Sequence, residues 1–308
     1  MDATVPLNID SAAPVRAGGR QFHFISGLPR SGSTLLSAIL RQNPRFHAGM
    51  SSPVATLFEA IISQVSAGSE LSTMVDAAQR RRLLRGLFDS YYADNPAEVI
   101  FDTNRAWTAK LPALMALFPQ SKLICCVRNV AWIMDSMERQ FRGNAFENTK
   151  LFNSPAERST VYTRVEALAH ANRLVGFPWH ALKEACYSEF ADRLVLVDYD
   201  LLTTRPADCI GLIYAFLGET PYAHDFDNVS YDAPAFDTEL GVDGLHRVHP
   251  KVAPRPRKTV LPPDLFQRYA NIAFWQKMPG SAAYKIVPKG EDEGPSEVMP
   301  AAATRIEV

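Results

Sequence analysis

Along most of this 308-residue chain, short apolar runs alternate with segments of helical period. Residues 21–26 carry alternating, β-prone side chains and predict a strand, and residues 35–40 predict a helix that Asn43-Pro44 stops. Helices are expected over 54–66 and 71–93, a second strand over 98–102, and a helix over 108–118 with Pro112 in its first turn. Leu123-Ile124-Cys125-Cys126-Val127 is an unbroken apolar run, as expected of a parallel strand buried on both faces, and a helix over 130–141 follows. Helical patterns then cover 158–190, broken near Gly176-Phe177-Pro178. A strand over 194–197 and helices over 206–217 and 263–277 complete the series. This alternation predicts a three-layer α/β fold with a central, mostly parallel sheet flanked by helices. The pattern fails over 218–262, which is rich in Pro, Asp, His and Tyr. That stretch is expected to be ordered but irregular and to cover one face. Residues 1–20 read as a flexible leader, 21–287 as a single α/β domain, and 288–308 as a flexible tail.

Composition narrows the function classes. Apolar residues make up 47% and charged residues 21%, as in a folded globular protein. With 32 Lys and Arg against 33 Asp and Glu, the net charge of −1 excludes a globally basic nucleic-acid binder but permits a local anion site. The run Arg80-Arg81-Arg82 reads as a solvated helix face. Cys125, Cys126, Cys186 and Cys209 form no Cys-x-x-Cys pair and read as reduced core thiols. There is no signal-type apolar region and no membrane span, so the expected location is cytoplasmic. His246 and His249 stand three apart in a Pro-rich segment, which does not suggest a metal site.

The chemistry begins where the first strand ends, at Gly27-Leu28-Pro29-Arg30-Ser31-Gly32-Ser33-Thr34. A strand, a glycine-containing turn and a helix N-terminus together form an arrangement for holding phosphate. Glycine permits the tight turn, backbone amides point at the anion, hydroxyls add donors, and Arg30 adds a charged fork. The fold is therefore expected to be P-loop-like. In a nucleotide-kinase loop, however, Lys would follow the second glycine, and here Ser33 does.

The same ten residues, Gly27 to Leu36, closely resemble the phosphosulfate-binding loop of the sulfotransferase superfamily. A second hallmark of that family is an apolar strand ending in Val-Arg, with a Ser eight positions later on a helix. It is matched by Val127-Arg128 and Ser136. Asn104-Arg105-Ala106-Trp107, Leu117-Phe118-Pro119 and Val197-Asp198-Tyr199-Asp200-Leu201-Leu202 also resemble family segments. The resemblance implies a donor, 3′-phosphoadenosine 5′-phosphosulfate (PAPS), with adenosine 3′,5′-bisphosphate as product and no metal required. By the same resemblance Arg30, Ser31, Gly32, Ser33 and Thr34 hold the 5′-phosphosulfate, and Arg128 and Ser136 hold the 3′-phosphate. Arg30 serves the leaving group. The Pro-Arg-Ser-Gly-Ser-Thr loop is closer to the tyrosylprotein enzymes and the bacterial branch near them than to cytosolic sulfotransferases.

Neither standard base of the family carries over. The Glu of the tyrosylprotein enzymes falls at Ser51, the Lys of the cytosolic branch falls at Thr103, and no His stands around 102–110. The local substitutes are Asp102, Glu59, His47 and His249, with Lys110 near the leaving group. Asp102 is favoured because ligands gather at strand C-terminal ends in α/β sheets. Met50, Phe58, Trp107, Phe141, Phe146 and the aromatic residues of 222–236 are candidates for the wall around a small-molecule or peptide acceptor. The competing readings are a P-loop small-molecule or nucleoside kinase and a non-catalytic phosphoadenosine-binding protein. A homodimer is the default assembly.

Overall fold

The computed structural model describes residues 19–143, 151–239 and 246–288. Among the described residues, six parallel strands form one sheet in the order β2-β3-β1-β4-β5-β6. They are β1 (Gln21–Gly27), β2 (Phe46–Ala48), β3 (Val99–Thr103), β4 (Leu123–Val127), β5 (Leu194–Asp198) and β6 (Tyr284–Ile286). The helices are α1 (Ser33–Leu40), α2 (Val54–Val65), α3 (Ala77–Tyr91), α4 (Leu111–Leu117), α5 (Val130–Gly143) and α6 (Pro155–Arg158). They continue with α7 (Val161–Ala169), α8 (Gly176–Cys186), α9 (Tyr199–Thr204), α10 (Pro206–Leu217), α11 (Pro234–Glu239) and α12 (Pro263–Ala270).

Side-chain alternation divides the interior into two layers, one on each side of the sheet. Phe22, Phe24, Ile100, Leu123, Cys125 and Leu196 face one core, which contains residues of α2, α3, α4, α5, α8 and α12. Ile25, Val99, Phe101, Ile124, Cys126 and Val197 face the other, which contains residues of α1 and α10. The run 123–127 is apolar throughout because both of its faces are covered. It also separates the adjacent Cys125 and Cys126 into opposite cores, and all four cysteines are free and buried.

The helix expected over 71–93 begins instead at Ala77, where Asp76 and Gln79 form a capping box behind the 3-10 turn Glu70–Thr73. The 108–118 helix is preceded by a 3-10 turn, Arg105–Lys110, and the one expected over 263–277 stops at Ala270. The described part of 218–262 is irregular apart from α11. It folds back on itself through backbone bonds from Val229 to Pro250, Val248 to Tyr231 and Val252 to Phe226, with Val229 fully buried. The leader and tail lie almost wholly outside the described residues. Among the described residues, no helix is long and apolar enough to cross a membrane.

Candidate functional site

The loop between β1 and α1 is shaped by close backbone approach. Gly27 has φ +104°, and a Cβ there would lie 2.2 Å from the carbonyl oxygen of Cys126. The next N–H, on Leu28, donates to that same carbonyl at 2.9 Å. Ser31 is buried, and its hydroxyl reaches the carbonyl of Cys126 at 2.9 Å and that of Leu28. This hydroxyl is committed to pinning the loop on β4, so what Ser31 can offer an anion is its backbone N–H. Arg30, at φ +56°, is the one non-glycine among the described residues in the left-handed region, and Gly32 follows at φ +94°. Gly32 stands at the N-cap of α1 with no side chain capping the helix. The first-turn amides therefore lack an internal acceptor, which suits an anion at that end. Ser33 and Thr34 begin that turn, half-buried.

Arg128 follows the end of β4, the strand beside β1, and comes to the same edge of the sheet. Its guanidinium lies 4.1 Å from the centre of the Tyr199 ring, and its Nη1 donates to the Arg30 carbonyl at 3.4 Å. Its Nε is buried with no hydrogen-bond partner. Arg30 Nε donates to Ser136 Oγ at 3.2 Å. The two sequence motifs thus form one continuous cationic surface. Tyr199 is part of it, holding Arg128 from below while its ring edge would stand 2.8 Å from a Cβ on Gly32.

A third guanidinium was not anticipated from the sequence. Arg257 contributes to the field at both Arg30 and Arg128. Its Nη2 sits 2.9 Å from Asp135 Oδ2, on the same helix as Ser136, and its guanidinium packs near the Trp132 ring. Asp135 has no exposed surface and also accepts from Arg139, from Thr259 Oγ1 at 3.0 Å and from Val260 N–H at 2.7 Å. Burial raises the Asp135 pKa, but these donors outweigh it and hold the carboxyl below the ordinary range. The only sequence signal for Arg257 was the basic run Arg255-Pro256-Arg257-Lys258 in a segment without period. The proton affinity of Arg30 is pulled down by burial first and by Arg128 next. Burial also lowers that of Arg128, with Arg257 acting in the same direction. Crowded, partly desolvated cations of this kind favour a multiply charged anion.

The candidate bases occupy other settings. Asp102 is the last but one residue of β3 and is fully buried. Its Oδ2 accepts from Ser52 and Tyr92, each at 2.6 Å, and its Oδ1 accepts from Trp107 Nε1 at 2.7 Å. This corrects the expectation of an open carboxylate at the strand end, because Asp102 ties the start of α2 to α3 inside the first core. Glu59 is more than half exposed and paired with Lys110, so both of those side chains are engaged with each other. His47 lies on the edge strand β2, level with Ile100 and hence with Phe22, at the far end of β1 from the loop. Asn95 contacts its Nδ1 at 2.7 Å. That register removes His47 from the site. His249 is exposed. Phe58 and Trp107 have no exposed surface and belong to the core, Phe141 packs on Phe152, and Phe146 lies outside the described residues. Among the described residues, no group of three or more His, Cys, Asp or Glu has a metal-holding arrangement.

A family model described as "Sulfotransferase family" matches residues 23–223, well over half of the chain. No curated protein matches. Among solved structures, the chain is similar to the sulfotransferase domain from the curacin biosynthetic pathway, at 16% identity and TM-score 0.47, covering 83% of this chain and 92% of that one. It is similar to the sulfotransferase domain from the Synechococcus PCC 7002 olefin synthase at 18% identity and TM-score 0.45, covering 88% and 93%. It is also similar to a sulfotransferase from Alicyclobacillus acidocaldarius at 16% identity and TM-score 0.44, covering 73% and 90%. The family match takes in the 27–34 loop, Arg128, Ser136 and Tyr199. The chain belongs to the sulfotransferase family.

Proposed function

We propose that this protein transfers a sulfuryl group from PAPS to a hydroxyl or amine of a small molecule or peptide. The observation that carries this reading is the joining of the two anion motifs through Arg30 Nε and Ser136 Oγ. The buried, unpartnered Nε of Arg128 supports it, since an anion is the partner that atom lacks. In this reading the amides of residues 31–34 and the Arg30 guanidinium hold the 5′-phosphosulfate. Arg128, Ser136 and Arg257 hold the 3′-phosphate. When bound, PAPS supplies a sulfuryl group on a phosphate leaving group. The chain's own part is to fix both phosphates, to stack Tyr199 beneath Arg128 so that its charge stays in place, and to offer the Arg30 cation where negative charge develops.

The Pro29-Arg30-Ser31-Gly32-Ser33-Thr34 wording of the loop supports a place near the tyrosylprotein-type branch, and the reading needs no metal. Calorimetry with adenosine 3′,5′-bisphosphate and with Mg-ADP tests the proposal. The bisphosphate is expected to bind wild type at least tenfold more tightly than Mg-ADP, and Arg128→Ala to lose most of that affinity. Equal or tighter binding of Mg-ADP would overturn it in favour of the kinase reading.

A further inference from the structure

The groups read as holding the donor occupy one part of the sheet's C-terminal edge. The phosphate loop follows β1, Arg128 follows β4 and Tyr199 follows β5. An acceptor that attacks sulfur in line comes from the side opposite the bridging phosphate oxygen. The part of the edge left to it lies over β3 and β2.

A chain of hydrogen bonds builds that part. Asn104 N–H donates to the Ile25 carbonyl at 3.0 Å, and Ser26 Oγ donates to the Arg105 carbonyl at 3.2 Å. Ser52 N–H donates to the Thr103 carbonyl at 3.2 Å, and Met50 N–H donates to Tyr231 Oη at 2.8 Å. The ends of β1 and β3, the turn after β2 and the covering segment thus meet at one corner. Ser26, the residue before Gly27, ties that corner to the start of the phosphate loop.

Two polar side chains at this corner lack partners. Thr103 is only 6% exposed, and its hydroxyl is buried without a hydrogen bond. Arg105 is exposed, and among the described residues no acceptor or carboxylate takes its guanidinium. The other cation of the same turn, Lys110, is paired with Glu59. The surrounding protein nevertheless removes enough water from the Arg105 guanidinium to lower its proton affinity. A side chain that is both exposed and desolvated lines a concave surface. It remains a cation at neutral pH. Asn104 fixes the backbone beside it by accepting from the Ala106 N–H at 3.0 Å.

From these observations we infer that Arg105 sets acceptor specificity and that the acceptor carries a carboxylate, an inference that rests on the sulfuryl-transfer reading. One guanidinium, with its planar fork, matches a carboxylate in charge and in shape. The donor site, by contrast, gathers Arg30, Arg128 and Arg257 for a multiply charged ligand. The unpaired Thr103 hydroxyl offers a neutral hydrogen bond at the same corner. The carboxylate seats the acceptor there while its hydroxyl reaches towards the sulfur over the loop.

Calorimetry on the full chain saturated with adenosine 3′,5′-bisphosphate tests this. The probes are two phenols of similar shape and opposite charge, 3-(4-hydroxyphenyl)propionate and tyramine. Wild type is expected to bind the propionate about tenfold or more tightly than tyramine. Arg105→Gln is expected to erase that preference and Arg105→Glu to reverse it, each with bisphosphate affinity within threefold of wild type. In turnover with PAPS, Arg105→Gln is expected to raise KM for the propionate and to leave kcat within threefold. Equal binding of the two probes by wild type, a preference that survives Arg105→Gln, or a fall in kcat with KM unchanged overturns the inference and leaves the donor site standing. Failure of wild type to bind the bisphosphate overturns the sulfuryl-transfer reading and the inference with it.

Discussion

Arg30 and Ser136 are separated by 106 positions, yet Arg30 Nε donates to Ser136 Oγ at 3.2 Å. That bond fixes the direction of the loop's guanidinium before any ligand arrives. Ser136→Ala removes it without opening a large cavity. A hydrogen bond to a charged group contributes about 1.5–3 kcal/mol, so bisphosphate affinity is expected to fall about tenfold or more, with little change in Tm. Calorimetry and thermal unfolding on the same variant check this, and an unchanged affinity would separate Ser136 from the site.

The two glycines of the loop are expected to fail differently when replaced by alanine. At Gly27 the added Cβ meets the Cys126 backbone at 2.2 Å, and neither strand can move aside. Gly27→Ala should therefore give little soluble, folded protein. At Gly32 the nearest atom, 2.8 Å away, belongs to the Tyr199 side chain, which can shift. That shift disturbs the ring on which Arg128 rests, and the positive φ adds local strain. Gly32→Ala should fold with a lowered Tm and bind the bisphosphate several-fold more weakly.

Asp135 ties the irregular segment 257–260 to α5 through Arg257, Thr259 and Val260. Because its pKa is depressed in the folded protein, its stabilising effect is present above the unfolded carboxyl value and is lost as pH falls through the folded one. Asp135→Ala takes the shared acceptor from Arg139, Arg257, Thr259 and Val260, which are part-exposed or exposed and can turn to water, and is expected to cost about 1–3 kcal/mol at neutral pH, together with weaker bisphosphate binding through a misplaced Arg257. The stability gap between variant and wild type should close in strong acid, which denaturation midpoints measured across pH would show.

Asp198 behaves in the opposite sense. Burial, and then the neighbouring Asp200, push its pKa up to about 6, although its carboxylate caps α9 through the N–H groups of Asp200 and Leu201. A raised acid pKa favours the fold below the unfolded value near 4, and that contribution disappears as pH rises through about 6. Asp198→Asn keeps a capping oxygen without the charge. It should be more stable than wild type at pH 7 by up to about 3 kcal/mol, with the advantage gone at pH 4. A constant difference across that range would contradict the assignment.

The sequence pattern was most informative where secondary structure has a strong period or an unbroken core. Leu123–Val127 and Pro206–Leu217 were expected at the limits observed. β2 and β6 escaped because three residues, with His47 or Lys285 in the middle, carry no usable period. The phosphate loop was legible from its strand, glycine turn and helix in sequence, whereas Arg128 and Ser136 were singled out by the family resemblance. Asp102 was misassigned because a strand's end gives a side chain's level but not what covers it, and α2 and α3 cover this one. Arg257 lies in a segment whose contacts depend on the tertiary fold, so its basic run gave a charge but no position. The aromatic candidates Phe58 and Trp107 were ambiguous for a simpler reason: a core wall and a ligand wall use the same side chains.

Both outermost strands of the sheet, β2 and β6, are only three residues long. So little exposed ladder makes a poor template for another chain's backbone, which protects the monomer from edge-on aggregation. Any assembly of two copies is therefore expected to meet through side chains on the helical flanks, leaving the ends of the sheet out of the contact.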